Sequence, residues 1–478
     1  MAKSKSLSLF GLIGITMAFF GTVRSVPTLA ATGWTSIFYM FLASFLFALP
    51  ITLLSAEFST TFPVEGGPQV WVEKALGKKW GFVTSWLLWV QMFFGMVMVA
   101  STIGVLFGYV IGKPELASNN MFILATILIC YWGITLLNIK FDMVKIAGNW
   151  GAVIGVYIPF LFLIGLGIAY MIKNGINPDG YLADFHFKDL WPDFSDLGSL
   201  TYLSGIMFIF TGVEISSVHV NKMENPRRNY PVGILFSVIA IIVLNLITGL
   251  TVADGVPNGK MELANITQPY LIFLKDFGLP TVLANIVSAM ILIGVLTQLS
   301  AWVLGPSKSM LKVAQEGMLP PFFQKKTNRD IPITLVLIQA GVITVVSLAY
   351  LLIPNVSSAF LMITCTTTIL YCIVYLLIGI SAIRVRYTMP NIDRPFRVGN
   401  KGNGLMWVVA ILSLASTLIA IAVSFIPPDI FKASQYPFYI GFQVVATLLM
   451  IGLALVIYKF KKPEWKISEV EEERSKAS

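Results

Sequence analysis

The chain contains about twelve long apolar runs, and these constrain its fold more than any other feature. Most of them offer at least ~18 uncharged residues, the length that an α-helix needs to cross a hydrocarbon layer ~30 Å thick. Hydrophobic residues make up 56% of the 478 residues and charged residues only 12%. Because this composition leaves too little polar surface for a soluble protein, we predict an all-α integral membrane protein with twelve transmembrane helices.

The apolar runs place the predicted helices near residues 8–31, 35–61, 80–111, 119–139, 147–172, 198–221, 230–253, 283–305, 333–353, 356–383, 406–426 and 436–458. One further apolar patch, Ile266–Leu279, contains Pro269 and is too short to span a membrane. We expect a surface-lying helix or a loop there. The alternation of polar and apolar residues that marks a membrane β-barrel is absent from the sequence.

Basic residues are distributed unequally between the two sides of the predicted membrane. About 26 of the 33 Lys and Arg residues fall on the side of the N-terminus and about six on the other side. Because cytoplasmic loops carry such an excess, we predict a multi-pass protein of the cell inner (plasma) membrane with both termini cytoplasmic. The net charge of +9 then reflects an inner face beside anionic lipid, and no nucleic-acid partner is expected.

Two of the apolar segments are interrupted by a stretch that disfavours helix and carries one charge. These stretches are Gly21–Pro27 in the first segment and Phe210–Glu214 in the sixth. A charge at membrane depth is costly, so it usually faces a cavity or a partner and marks a transport pathway. Broken helices at corresponding positions of two halves indicate a transporter's binding site, and the offset of five segments fits two repeats. For a single Gly or Pro alone, a packing kink is an equally good interpretation.

Local signatures extend from the first segment to the loop before the twelfth. Leu54–Gly67 has the pattern Ala-Glu followed by Pro-x-x-Gly-Gly, and Gly212–Glu214 with Asn225–Pro231 has Gly-Val-Glu followed by Asn-Pro-x-Arg-x-x-Pro. Supporting strings are Pro27–Gly33, Trp191–Ser195, His219–Met223, Trp302–Met310 and Ile426–Asp429. With these motifs the chain resembles the amino acid–polyamine–organocation superfamily, and it is most similar to the bacterial glutamate:GABA antiporter branch.

The resemblance implies a leucine-transporter-like fold, in which two inverted five-helix repeats are followed by helices 11 and 12. Residues 1–172 would form the first repeat, 173–197 an extracellular loop, 198–386 the second repeat, 387–460 helices 11 and 12, and 461–478 a short charged cytoplasmic tail. The resemblance also implies a secondary active amino acid antiporter, not an enzyme. By alternating access it would exchange an external amino acid for an internal one or for its decarboxylation product.

The interruptions explain how such a protein would hold an amino acid. Where a helix unwinds, free N–H groups can bind a carboxylate and free C=O groups an ammonium, and an α-amino acid carries both. The predicted substrate-binding residues therefore lie at the two interruptions and on neighbouring core helices. They are Gly21, Thr22, Val23, Arg24, Ser25, Phe210, Thr211, Gly212, Gln298, Trp302 and Tyr371.

Arg24 and Glu214 are the charged members of the two interruptions. Arg24 replaces the small residues that this superfamily commonly carries there, and two interpretations stay open: it attracts an anionic group of the substrate or forms a gate ion pair, or it makes a structural bond to Glu214 or a carbonyl. The resemblance implies that Glu214 couples gating to protonation, since burial disfavours the charged form of a carboxyl group. His219 is a weaker gating and proton-coupling candidate.

Charged residues at the predicted cytoplasmic ends are expected to form gate ion pairs that are individually weak. The acidic members are Glu57, Glu65 and Glu73, and the basic members are Arg227, Arg228, Lys308 and Lys312.

Other classes of protein are less consistent with the sequence. The two histidines, His186 and His219, lack metal-ligand spacing, and no nucleophile with a base is evident, so no metal, cofactor or catalytic residue is expected. The alternatives are a proton- or sodium-coupled amino acid symporter and, from another class, a channel or a membrane-embedded enzyme. The expected partners are amino acid and amine substrates and the lipid bilayer, with the protein a monomer or weak homodimer. Arg24 favours an anionic amino acid such as glutamate, whereas the aromatic content also fits a pair such as tyrosine and tyramine.

Overall fold

The computed structural model describes residues 8–9, 23–62, 67–141, 151, 153–214, 223, 225–327, 329–353, 355–399 and 402–466. These residues form helices, turns and one isolated β-bridge. In chain order the main helices are α1 (Val26–Ala30), α2 (Gly33–Thr61), α3 (Pro68–Leu76), α4 (Lys78–Val110), α5 (Asn120–Lys140), α6 (Val153–Asn174), α7 (Leu197–Phe208), α8 (Arg228–Gly255), α9 (Gln268–Asp276), α10 (Val282–Met318), α11 (Ile333–Leu352), α12 (Val356–Thr388), α13 (Gly404–Ser424) and α14 (Ala433–Lys459).

Ten helices of the described part of the chain are long and apolar enough to cross a membrane. They are α2, α4, α5, α6, α8 and α10 to α14, and they correspond to the second to fifth and the seventh to twelfth predicted segments. The first and sixth segments are described in part, as α1 and α7. One predicted end is wrong: α10 continues to Met318 because Pro306 lies inside the helix without ending it. Membrane helices tolerate such a proline where neighbouring groups satisfy the freed carbonyl.

Helices α4 and α12 form the centre of the bundle. In each of them 89% of the most apolar window is buried within the protein, against 28% for α14. A helix that is apolar all round and buried all round belongs to a core, and one that is apolar but exposed faces lipid. The centre is therefore built by the third and tenth segments, and α14 lies at the periphery.

Two glycines set the distance between α6 and α10. A Cβ atom added to Gly155 would lie 2.3 Å from the Cα of Gly294, and one added to Gly294 would lie 2.8 Å from the Cα of Gly155. Small residues allow membrane helices to approach this closely, and the contacts so gained replace the hydrophobic driving force that lipid lacks. This contact fixes α6 beside the part of α10 that carries the predicted site residues.

The apolar patch after α8 forms the short helix α9. Pro269 occupies its first turn, where the missing N–H of proline has no cost. Tyr270 and Phe273 are fully buried, and the Tyr270 hydroxyl donates to the backbone oxygen of Pro159 at 2.8 Å. The expectation of a short non-spanning element is confirmed. Its apolar face packs against α6, while Lys275 and Asp276 at its end are exposed.

The end of α9 is held by polar contacts to the end of α6. Asp276 accepts from the Lys173 ammonium at 2.9 Å and from the Asn174 side-chain amide at 2.9 Å. These two donors hold the pKa of the Asp276 carboxyl below its usual range. The pair joins the C-terminal ends of α6 and α9.

The loop of residues 175–196, which we call the acidic loop, covers the start of α2. The Trp34 indole N–H donates to the backbone oxygen of Leu182 at 3.3 Å, and the Thr35 hydroxyl donates to that of Asp189 at 2.9 Å. The backbone N–H of Tyr181 donates to the oxygen of Ala253 at 2.9 Å, which ties the loop to α8. The junction between α1 and α2 is thus closed on this side.

The opposite end of α2 is tied to α12 by a buried ion pair. Glu57 accepts from Arg386 Nε at 2.7 Å and from Arg386 Nη2 at 2.5 Å, and the Glu57 and Arg386 side chains are 12% and 2% exposed. The backbone N–H of Val398 donates to Glu57 at 2.8 Å, and Arg394 Nε lies 3.2 Å from it. The predicted partners of Glu57 are wrong, since arginines of α12 and of the loop after it occupy its carboxylate. The predicted partners were Arg227, Arg228, Lys308 and Lys312. Glu65, which was predicted to pair with the same residues, lies outside the described residues.

Candidate substrate-binding site

The sixth segment is interrupted at the predicted position. Helix α7 ends at Phe208, and the chain continues through turns to Gly212, whose φ of 92° lies in the left-handed region that glycine adopts without strain. The freed backbone N–H of Gly212 donates to the Tyr375 hydroxyl on α12 at 2.7 Å. A side chain of another helix thus satisfies the backbone group that the break exposes.

The first segment is described from Val23 onward. Val23–Ser25 form a single 3-10 turn, which leads into α1 with Pro27 in its first turn. Two predicted contact residues, Gly21 and Thr22, lie outside the described residues, so the interruption of this segment stays a prediction.

A cavity of about 1010 Å³ lies between α1, α4, α7, α10 and α12. It extends from Arg24 to the ends of α4 and α10, where Lys78, Lys308 and Lys312 line its mouth. The predicted site residues that line it are Arg24, Ser25, Thr211, Gly212, Gln298, Trp302, Tyr371 and Glu214. Val23 and Phe210 are buried and do not line it, and His219 lies outside the described residues.

Arg24 is held from α10. Its Nη2 donates to the side-chain oxygen of Gln298 at 2.8 Å, and its guanidinium carbon lies 5.9 Å from the centre of the Trp302 ring. Gln298 and Trp302 are four residues apart and so lie on one face of the helix. The structure therefore brings Arg24 together with two other predicted residues that lie more than 270 positions away in the sequence.

Glu214 is bound by two tyrosines of α12. The Tyr371 hydroxyl donates to Oε1 at 2.7 Å and the Tyr375 hydroxyl to Oε2 at 2.6 Å, and Glu214 is 2% exposed. Among the ion pairs of the described residues, none joins Glu214 to Arg24. The structural interpretation of Arg24 as a direct partner of Glu214 is not what the described residues show.

Tyr375 was not among the predicted site residues. It contacts both Glu214 and Gly212, and its ring lies 5.1 Å from that of Tyr371. A signal was present in the sequence, because two tyrosines four residues apart share a helix face. The sequence does not indicate, however, that Glu214 is the residue that this face contacts.

Comparison with known proteins places the chain in a family. The family model described as amino acid permease matches residues 6–465. An uncharacterized transporter of Legionella pneumophila is 30% identical over 459 residues, which cover 95% of this chain and 96% of the relative. A glutamate/gamma-aminobutyrate antiporter of Lactococcus lactis is 30% identical over 96% of this chain and 91% of the relative. A probable agmatine/putrescine antiporter of the same species is 26% identical over 93% and 95%.

The chain belongs to the amino acid permease family, a family of membrane transporters, as the motifs and the apolar helices predicted. The relatives named above are transporters or antiporters and not enzymes.

Proposed function

We propose that this protein is a secondary active amino acid antiporter that works by alternating access. It exchanges an external amino acid for an internal amino acid or its decarboxylation product. The observation that carries the proposal is the cavity of about 1010 Å³, which reaches from Arg24 of the first segment to the end of α7. Cavities at broken helices are typical of substrate sites in transporters. Relatives named as antiporters of glutamate with gamma-aminobutyrate, and of agmatine with putrescine, support exchange as the mode of transport.

The proposal includes two inverted five-helix repeats, residues 1–172 and 198–386, with α13 and α14 added after them. Helix packing supports this arrangement. Helix α4, in the third segment, contacts α11 and α12 of the ninth and tenth, while α10, in the eighth, contacts α5 and α6 of the fourth and fifth. The first segment packs on the seventh as the sixth packs on the second. If segments one to five are matched in order to segments six to ten, each of these contacts corresponds to another of them, as two repeats require.

The basic end of the bundle is assigned to the cytoplasm of a cell with an inner (plasma) membrane. The excess of Lys and Arg on this side supports the assignment. The cavity opens toward Lys78, Lys308 and Lys312, while the acidic loop covers the other side. We therefore infer that this conformation faces inward.

Glu214 is proposed as the residue that couples gating to protonation. Its carboxylate is bound by hydroxyl groups of α12 and lies beside the break in α7. Protonation removes the charge that the two tyrosine hydroxyls solvate, which changes the contact between α7 and α12. Variant Glu214→Gln is expected to flatten the pH dependence of transport, and an unchanged pH profile would remove Glu214 from the coupling step.

Counterflow in liposomes tests the proposal. Purified protein is reconstituted into vesicles loaded with one unlabelled amino acid at a time, and uptake of the labelled amino acid is followed in the absence of any ion gradient. An antiporter takes up label only when the vesicles are loaded. Net accumulation into empty vesicles driven by a proton or sodium gradient would instead establish a symporter, and entry without loading or gradient would establish a channel.

A further inference from the structure

Arg24 is the one cation among the described cavity-lining residues that lies away from the mouth. The charged residues that line the cavity are Arg24, Glu73, Lys78, Glu214, Lys308, Lys312 and Glu316. The lysines and Glu316 are exposed and Glu73 is partly exposed, so water screens these charges. Arg24 and Glu214 remain as the charges at the depth where the substrate is proposed to bind.

The hydrogen-bonding capacity of the Arg24 guanidinium is incompletely used. Gln298 accepts from Nη2, but Nη1 is buried and finds no acceptor among the described residues. A buried donor of a charged group that lacks an acceptor costs more free energy than a neutral one. The neutral Gln298 positions the guanidinium and Trp302 lies against it, yet neither contributes the negative charge that would balance it.

Glu214 does not balance Arg24 either. Its two carboxylate oxygens accept from Tyr371 and Tyr375, and none of the ion pairs between described residues includes Arg24. An anion that enters the cavity therefore meets a lining guanidinium that has no counter-charge and is held by a neutral amide and an aromatic ring. Its Nη1 is buried, so the side chain has to turn before that atom can donate to the anion. A cation that enters finds a like charge that is poorly screened.

We propose that the Arg24 guanidinium, whose Nη1 has no acceptor, binds a carboxylate, and that every solute that this protein carries must supply one. This inference rests on the proposed exchange function and restricts the solutes that can be exchanged. Amino acids qualify, and so does a decarboxylation product that retains a second carboxylate. An amine that has lost its only carboxylate is excluded, because its ammonium would meet Arg24 without an anion between them. The chain would thus differ from its relative named as a probable agmatine/putrescine antiporter, since both of those solutes lack a carboxylate.

A competition experiment on the wild-type protein tests whether a carboxylate is required. Matched pairs of compounds, namely tyrosine with tyramine, ornithine with putrescine, arginine with agmatine, and glutamate with gamma-aminobutyrate, compete for counterflow of the best amino acid. Because a charge-assisted hydrogen bond is lost, each amine without a carboxylate should compete at least about 10-fold more weakly than its parent, and up to about 100-fold. Gamma-aminobutyrate keeps a carboxylate, so it should compete about as strongly as its parent glutamate. Competition by tyramine, putrescine or agmatine equal to that of the parent amino acid would overturn the proposal.

Variant Arg24→Gln locates the effect. It should lose most of the preference for the carboxylate-bearing member of each pair, whereas Arg384→Gln, the same change at an exposed position of α12, should retain it. A preference that persists in Arg24→Gln would show that the carboxylate is recognised elsewhere and would refute the assignment. If Arg24→Gln does not fold, the wild-type competition series still decides whether a carboxylate is required.

Binding measured without transport separates this inference from the proposed function. The melting temperature of the detergent-purified protein is followed with each compound of the matched pairs. Stabilisation by the amino acids and not by their amines, in a protein that shows no counterflow, would refute exchange and leave the carboxylate requirement standing. Counterflow of amines together with amino acids would instead support exchange and refute the carboxylate requirement.

Discussion

Replacing Glu57 by Gln tests how strongly the buried ion pair at the basic end of α2 stabilises the protein. The substitution keeps the shape of the side chain but removes its charge. Arg386, which is 2% exposed, then lacks the carboxylate that accepted from its Nε and Nη2 atoms, and Arg394 loses the anion 3.2 Å from its Nε. Removing one partner of a buried pair costs about 3–5 kcal/mol, because the other charge stays buried without compensation.

This free energy converts into a measurable change of melting temperature. The unfolding entropy is about 2.1 cal/mol/K per residue, so 478 residues correspond to about 1 kcal/mol/K. The variant Glu57→Gln should therefore melt about 3–5 °C below the wild type in thermal denaturation of the detergent-purified protein. Glu115→Gln, the same substitution at an exposed position, serves as the control and should change the melting temperature by less than about 1 °C.

A double-mutant cycle shows whether charge is the cause. Arg386→Gln introduced into the Glu57→Gln background should cost less than in the wild type, because the second substitution removes a charge that has already lost its partner. Equal melting temperatures for Glu57→Gln and Glu115→Gln would refute the reasoning, since they would mean that the contacts of Glu57 stabilise no more than an exposed carboxylate does.

Three further substitutions test other parts of the structure. Tyr375→Phe removes the acceptor of the Gly212 N–H, and we expect initial exchange rates to fall about 10-fold or more with unchanged protein yield; wild-type rates would contradict this role. Asp276→Asn should lower stability at neutral pH by only ~0–1 kcal/mol, because the pair with Lys173 is exposed. Because the pKa of Asp276 is lowered in the folded protein, the pair adds to the free energy of unfolding at neutral pH, and this contribution is lost as pH falls below about 4. The melting temperatures of variant and wild type should therefore converge below that pH. Gly155→Ala forces α6 and α10 apart and should destabilise by about 1–3 kcal/mol in the same melting assay, where no change would show that the helices adjust freely.

The sequence predicted the spans well because their signal is local. Ten apolar runs became helices near the expected positions, since a stretch of about 20 apolar residues has few stable alternatives in lipid. The end of α10 was missed because Pro306 is read from sequence as a helix stop, although in lipid the helix continues through it.

The contacts of the candidate site depend on pairs that are distant in sequence. Arg24 and Gln298 were both predicted, but their hydrogen bond follows from how α1 and α10 approach, which no local pattern encodes. The same limit explains the wrong partners predicted for Glu57. Arg386 lies 329 positions away from it, and charge alone does not distinguish Arg386 from the other basic residues of the predicted inner side.

The way in which the acidic loop is fastened has a consequence for how its sequence can diverge. Trp34 and Thr35 donate to main-chain oxygens of Leu182 and Asp189, and every residue type presents the same oxygen at those positions. These two hydrogen bonds thus depend on the path of the loop and on two side chains of α2, and not on which side chains the loop carries at residues 182 and 189. Phe185 and Trp191 of the loop add ring contacts to Trp34 and Phe38. Substitution of the exposed acidic side chains of this loop can therefore change the charge of the surface, while the main-chain hydrogen bonds beneath it stay intact.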